Sequence, residues 1–265
     1  MKIETDDVSF SYGKEKTVFE HVSMIAQQGH VISILGPNGA GKTTFLRCLL
    51  GFRKWDSGEE RIDGIPRKEY RNSDFWKKAA YVPQAKSQAF PYTVEETVLL
   101  GRSAYLNLFQ MPHRQDYEMA EKAMNLAGIS ALKDHNCNEI SGGELQLTLI
   151  ARALAGDPEV LIMDEPETGL DFRNQLVVLN LIQKLSRENG LTVIFNTHYP
   201  EHALEISDET LLIRKGKGSL FGKTEEILNE SNMSDAFDVN IAVMKEKIGD
   251  HDHVSVIPVS LRNEK

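Results

Sequence analysis

The chain has 265 residues, enough for one sizeable domain or one domain with a subdomain. A hydrophobic fraction of 41% with 26% charged residues is ordinary globular composition, which excludes a disordered chain, and no apolar run approaches the ~20 residues of a membrane-crossing helix. The net charge of −9 argues against a broad nucleic-acid-binding surface but leaves room for a local anion site built from backbone amides.

The N-terminal residues 1–7 turn acidic at once and carry no apolar signal core, so a cytoplasmic location is expected rather than export. Cys48 and Cys137 lack metal-ligand spacing and read as packing residues. Along the chain, short apolar runs alternate with helix-period stretches: 31–35 then 44–50, 160–163 then 175–185, 192–195 then 201–206. That alternation predicts an α/β domain with buried, mainly parallel strands. Residues 93–154 are mainly helical in pattern, and Thr93 with Glu96 and Ser141 with Glu144 both have capping-box spacing. A helical subdomain, about 91–156, is therefore expected inside an α/β core of about 1–90 and 157–222. The extension of about 223–265 starts polar and becomes strand-like at 254–259.

Gly36-Pro37-Asn38-Gly39-Ala40-Gly41-Lys42-Thr43-Thr44 fits G-x-x-x-x-G-K-[ST] and falls between a predicted buried strand and a predicted helix, where a phosphate loop must be. Glycines let the backbone curl so that successive N–H groups face phosphate, and the helix N-terminus adds favourable electrostatics. Lys42 then neutralises β- and γ-phosphate charge, and the Thr43 hydroxyl is a ligand for Mg²⁺. Further on, a buried strand closes on two adjacent acids, Asp164 and Glu165. Asp164 suits Mg²⁺ held through its water shell, and Glu165 is the candidate general base for an attacking water.

With Ile140-Ser141-Gly142-Gly143-Glu144 added, about twenty residues before Asp164, the sequence resembles the ABC ATPase family over most of its length. Weaker matches fall in the same order: Tyr12 where the family stacks an aromatic on adenine, Gln84 at the Q-loop, Gly169-Leu170-Asp171 at the D-loop and His198 at the switch. The resemblance implies a P-loop NTPase core with a parallel-rich sheet, an N-terminal antiparallel β region and an inserted α-helical subdomain. It implies ATP and Mg²⁺ as cofactors. Lys42, Gln84, Glu165 and His198 become catalytic, with Thr43, Gln84 and Asp164 on the metal. Ser141, Gly142 and Gly143 would close over the γ-phosphate held by a second copy, so a head-to-tail homodimer is expected. Partners implied are transmembrane permease subunits and a substrate-binding protein, with the chain at the cytoplasmic face of the cell membrane and no nucleic acid. Ile140, Glu144 and Glu167 depart from the commoner Leu, Gln and Thr or Ser; Glu167 places extra negative charge beside Glu165.

Three readings follow: a transporter subunit, an ABC ATPase acting on DNA or ribosomes, and a nucleotide sensor that barely hydrolyses. Neither a coiled-coil insertion nor a second cassette supports the second, and the intact Lys42, Gln84, Asp164, Glu165 and His198 oppose the third. The segment 92–102, followed by Tyr105 and Phe109, resembles the helical subdomain of importers for iron chelates, haem, cobalamin and, in some cases, molybdate.

Overall fold

A computed structural model describes residues 1–13, 16–84, 92–106, 110–249 and 251–262; Phe109 lies outside them. The chain divides into two compact units, one comprising Lys2–Glu69 and Ile194–Lys265, the other Tyr70–Val193 with Met1.

In the first unit, β1 (Ile3–Tyr12) is flanked by β2 (Lys16–Ala26) and, after β3 (Val31–Leu35) and α1 (Lys42–Leu49), by β4 (Ser57–Ile62); both pairings are antiparallel. The short β5 (Ile65–Pro66) adds to β4, completing the antiparallel region expected from the resemblance. Ile3, Thr5, Val8 and Phe10 are buried while Asp6, Asp7 and Tyr12 are exposed, the period-two pattern of a half-buried strand shifted once by the irregularity between Thr5 and Val8. By contrast every residue of β3 is buried, as its continuous apolar run required.

The second unit begins with α2 (Asn72–Lys78) and β6 (Ala79–Val82). Three helices, α3 (Val94–Leu99), α4 (Arg114–Ala127) and α5 (Gly142–Ala155), pack on one another. Both expected capping boxes are formed, at Thr93 with Glu96 and at Ser141 with Glu144. β7 (Val160–Asp164) runs parallel to β6, and α6 (Phe172–Asn189) follows, N-capped by Asp171. Cys137 is buried here, and Cys48 is buried in α1; both thiols are free.

From β8 (Thr192–Asn196) the chain returns to the first unit through α7 (Pro200–Ile206), β9 (Glu209–Arg214) and β10 (Gly218–Lys223). β9 pairs parallel with β3 and antiparallel with β10. The extension forms α8 (Thr224–Ile227), α9 (Glu230–Phe237) and an antiparallel hairpin of β11 (Val239–Ile248) and β12 (His251–Leu261). It is no loose tail: Leu228, Met233 and Ala236 share one buried cluster with Leu35 and Leu212, and Ile241, Val243 and Val256 pack against it.

Candidate functional site

The turn from β3 into α1 holds Gly36, Gly39 and Gly41 at φ 151°, 77° and 99°, backbone that residues with a Cβ rarely adopt. Two of them also have no space for one. A Cβ on Gly36 would meet the Ile213 carbonyl oxygen at 2.3 Å, and one on Gly41 would meet Val18 Cγ1 at 2.5 Å and the Phe19 ring at 2.9 Å. The loop is closed by an amide of Ala40 donating to Pro37 O at 3.1 Å and by Phe45 N donating to Gly41 O at 2.7 Å. Lys42 is buried, and its ammonium donates to the carbonyls of Gly36 at 2.7 Å and Pro37 at 3.3 Å. Asn38 and Gly39 face solvent at the tip.

Two further predicted residues reach the same loop. Tyr12 is 41% exposed, with its hydroxyl 3.3 Å from Thr44 Oγ1 and its ring edge-on to Phe10. The Arg53 guanidinium lies 5.9 Å from the Tyr12 ring centroid, so this aromatic keeps an accessible face with a cation nearby. His198 follows β8 and brings Nδ1 to 3.4 Å from Lys42 Nζ. Sequence reasoning missed Asn196, fully buried at the end of β8, whose amide donates to Thr43 Oγ1 at 3.5 Å. The signal was there: a polar residue closing an apolar run, as Asp164 does.

In the other unit Asp164 ends β7 nearly buried, and the Tyr81 hydroxyl donates to its Oδ2 at 3.3 Å. Tyr81, on the neighbouring β6, carried no spacing signal that would have singled it out. Glu165 sits at φ 50°, left-handed backbone that a residue with a side chain holds at a cost of about 1–3 kcal/mol. Its carbonyl accepts from Thr168 N at 3.2 Å, tightening the turn that follows. Glu167, in that turn, is fully buried. Gln84 lies two residues past β6 and is half-buried.

Ser141 and Gly142 are exposed at the start of α5. The Glu144 carboxylate accepts from Ser141 N at 2.8 Å and from Ser141 Oγ at 2.7 Å, while Glu144 N donates back to Oγ at 3.3 Å. These bonds hold the Glu144 carboxyl below the usual carboxylate range, the Ser141 hydroxyl first among the causes. A Cβ on Gly142 would meet nothing within 4 Å, whereas one on Gly143 would meet the Asn174 side chain at 2.4 Å. The first glycine thus leaves an open approach, and the second permits close packing on α6.

Residues 19–168 match the family described as ABC transporter, and the chain belongs to that family. It is an ATP-hydrolysing, ATP-binding cassette of the P-loop class. Over 235 residues it is 33% identical to the molybdate import ATP-binding protein MolC of Haemophilus influenzae, covering 89% of this chain and 87% of the relative. A Helicobacter pylori protein described as an iron chelatin transport ATP-binding protein is 33% identical over 242 residues, covering 90% and 93%. Among solved structures, one described as an inward-facing metal-chelate type ABC transporter matches with TM-score 0.87 and 31% identity over 97% of each chain. No described helix is long and apolar enough to cross a membrane.

Proposed function

We propose that this cassette works as a homodimer that drives import of an iron chelate, haem, cobalamin or similar metal-containing ligand through a separate membrane permease served by a substrate-binding protein. The observation that carries the importer reading is the extent of the likeness to the metal-chelate type structure, 97% of the chain against the 19–168 of the family match. Membership of the transporter family supports a place at the cytoplasmic face of the membrane. The proposed functional division is a core of about 1–90 and 157–222 carrying a helical segment of about 91–156, with an extension of about 223–265.

In this reading ATP takes its adenine to Tyr12 and its phosphates to the amides of residues 36–44, with Lys42 countering their charge. The hydroxyl of Thr43, the amide of Gln84 and the carboxylate of Asp164 are hard oxygen donors, the set that fits Mg²⁺. When bound, that ion supplies charge neutralisation on the phosphates. Glu165 accepts a proton from water, His198 donates towards the γ-phosphate, and Ser141, Gly142 and Gly143 of the second copy close over it. Each role is a matter of positioning and charge rather than covalent chemistry.

The test is reconstitution in proteoliposomes with the permease and binding protein. ATP turnover should rise when a metal chelate is supplied and should accompany its uptake. Stimulation by DNA or ribosomes instead, or uptake of none of the candidate ligands, would overturn the importer reading.

A further inference from the structure

One carboxylate in the nucleotide-binding unit has no part in that scheme. Glu60, on β4, is 3% exposed, and its Oε2 accepts from the Trp55 indole N–H at 2.8 Å. Arg67 Nε lies 3.9 Å from the other oxygen. The Trp55 ring stands 5.4 Å from Phe45 and 6.1 Å from Phe19, and those two rings are 5.6 Å apart. Phe45 belongs to the first turn of α1, and the Phe19 ring occupies the space that a Cβ on Gly41 would need. Contacts therefore run without a break from a buried carboxylate to the backbone that faces phosphate.

We infer that Glu60 is a positioning residue for nucleotide binding: it fixes the Trp55 indole, which holds Phe19 and Phe45 against Gly41 and the start of α1. The inference rests on the phosphate-loop reading above. An aliphatic side chain would fill the same space without orienting the indole; a hydrogen bond to a charged acceptor is directional and roughly twice as strong as a neutral one. Burial pushes the Glu60 carboxyl up to about 7, against the lowering effects of Trp55 and then Arg67. The other charged and titratable groups around this cluster are the Cys48 thiol on α1, pushed up to about 12 chiefly by burial, with Asp56 and Arg53 from the loop between α1 and β4. The carboxylate is thus the group here that changes charge near neutrality, and the indole is held most firmly above that point.

The experiment uses the full chain with Trp76→Phe, which leaves Trp55 as the only tryptophan. Trp55 emission and ATP affinity are measured from about pH 6 to about pH 8, a span that crosses the Glu60 transition. Both should change together around pH 7 in this parent, with affinity weaker by about threefold to tenfold at the acid end, the range expected when a hydrogen bond to a charged acceptor becomes one to a neutral acceptor. Adding Glu60→Gln should flatten both profiles apart from the titration of ATP itself, and Trp55→Phe, which keeps a ring but removes the donor, should flatten the affinity profile likewise. Parental pH dependence of affinity in either variant, or Trp55 emission in the parent that does not respond to pH, overturns the inference and leaves the phosphate-loop reading intact. A parent that binds no ATP overturns both.

Discussion

The Lys42 ammonium lies 3.4 Å from Nδ1 of His198 while donating at 2.7 Å to the Gly36 carbonyl. Lysine can only donate, so Nδ1 is the acceptor and the ring hydrogen belongs on Nε2. The loop and His198 are thereby one hydrogen-bonded assembly within a single compact unit, although 156 residues separate Lys42 and His198 in sequence.

Removing that cation is the first expectation. Lys42→Ala leaves the loop carbonyls without their donor and the phosphates without their counter-charge, so ATP turnover should fall by about 10²-fold or more. Phosphate release from the purified variant measures it, and near-normal turnover would remove Lys42 from the mechanism.

Gly41→Ala should damage the loop without touching its charge. The new Cβ must share space with Val18 and Phe19 at φ 99°, a strain of about 1–3 kcal/mol. Calorimetry should find ATP affinity clearly weakened while the chain remains folded; wild-type affinity would show that the glycine is dispensable.

Glu165→Gln keeps size and hydrogen-bonding reach but cannot accept the proton, so ATP should bind and the proposed dimer should accumulate. Adding Ser141→Arg should prevent that dimer by placing bulk and charge at the exposed start of α5. Size-exclusion chromatography with and without MgATP, with the permease present if the isolated cassettes pair weakly, reports both. A Glu165→Gln chain that binds ATP tightly yet stays monomeric with its permease would contradict a site shared between two copies.

Glu60 also makes stability depend on pH in a stated direction. Its folded value of about 7 exceeds the 4.5 of a free carboxyl, so between those values the folded chain retains a proton that the unfolded chain has released. Stability from this group therefore falls as pH rises through that window and is at its lowest above about 7. Thermal unfolding at about pH 5 and about pH 8 should show Glu60→Gln gaining on the wild type at the higher pH. The opposite trend would mean that the carboxyl is not desolvated.

The extension should matter to the nucleotide-binding unit. Met233 is fully buried in the cluster that holds Leu35, the residue before the phosphate loop. Met233→Ala should cost about 2–5 kcal/mol in denaturant unfolding; a change below about 0.5 kcal/mol, typical of surface sites, would place it outside the core.

What the sequence disclosed was mostly local. The run 31–35 became β3 with the same limits, 160–163 became β7 extended by Asp164, and 201–206 became α7 extended by Pro200. Both capping boxes were legible because a cap is decided within four residues. Harder to read was the extension, where only 254–259 looked strand-like, because a hairpin strand such as β11 with half its residues open to water lacks a strong apolar signal. The pairing of Trp55 with Glu60 was invisible for another reason. Nothing in the spacing of a tryptophan and a glutamate says that both will turn inward; that depends on β4 lying beside β1.

The capping box of α5 has a consequence for how two copies would recognise each other. A serine hydroxyl has one hydrogen, and that of Ser141 is already committed to the Glu144 carboxylate. A phosphate arriving from a second copy can accept it only by displacing that carboxylate, so recognition would be an exchange of one resident anion for an incoming one. Because the box holds the Glu144 carboxyl below the usual carboxylate range, the resident competitor stays charged at neutral pH. Grip on the visitor would then be weakened by what it replaces, and release would restore a partner already in place, the property of a latch made to reopen.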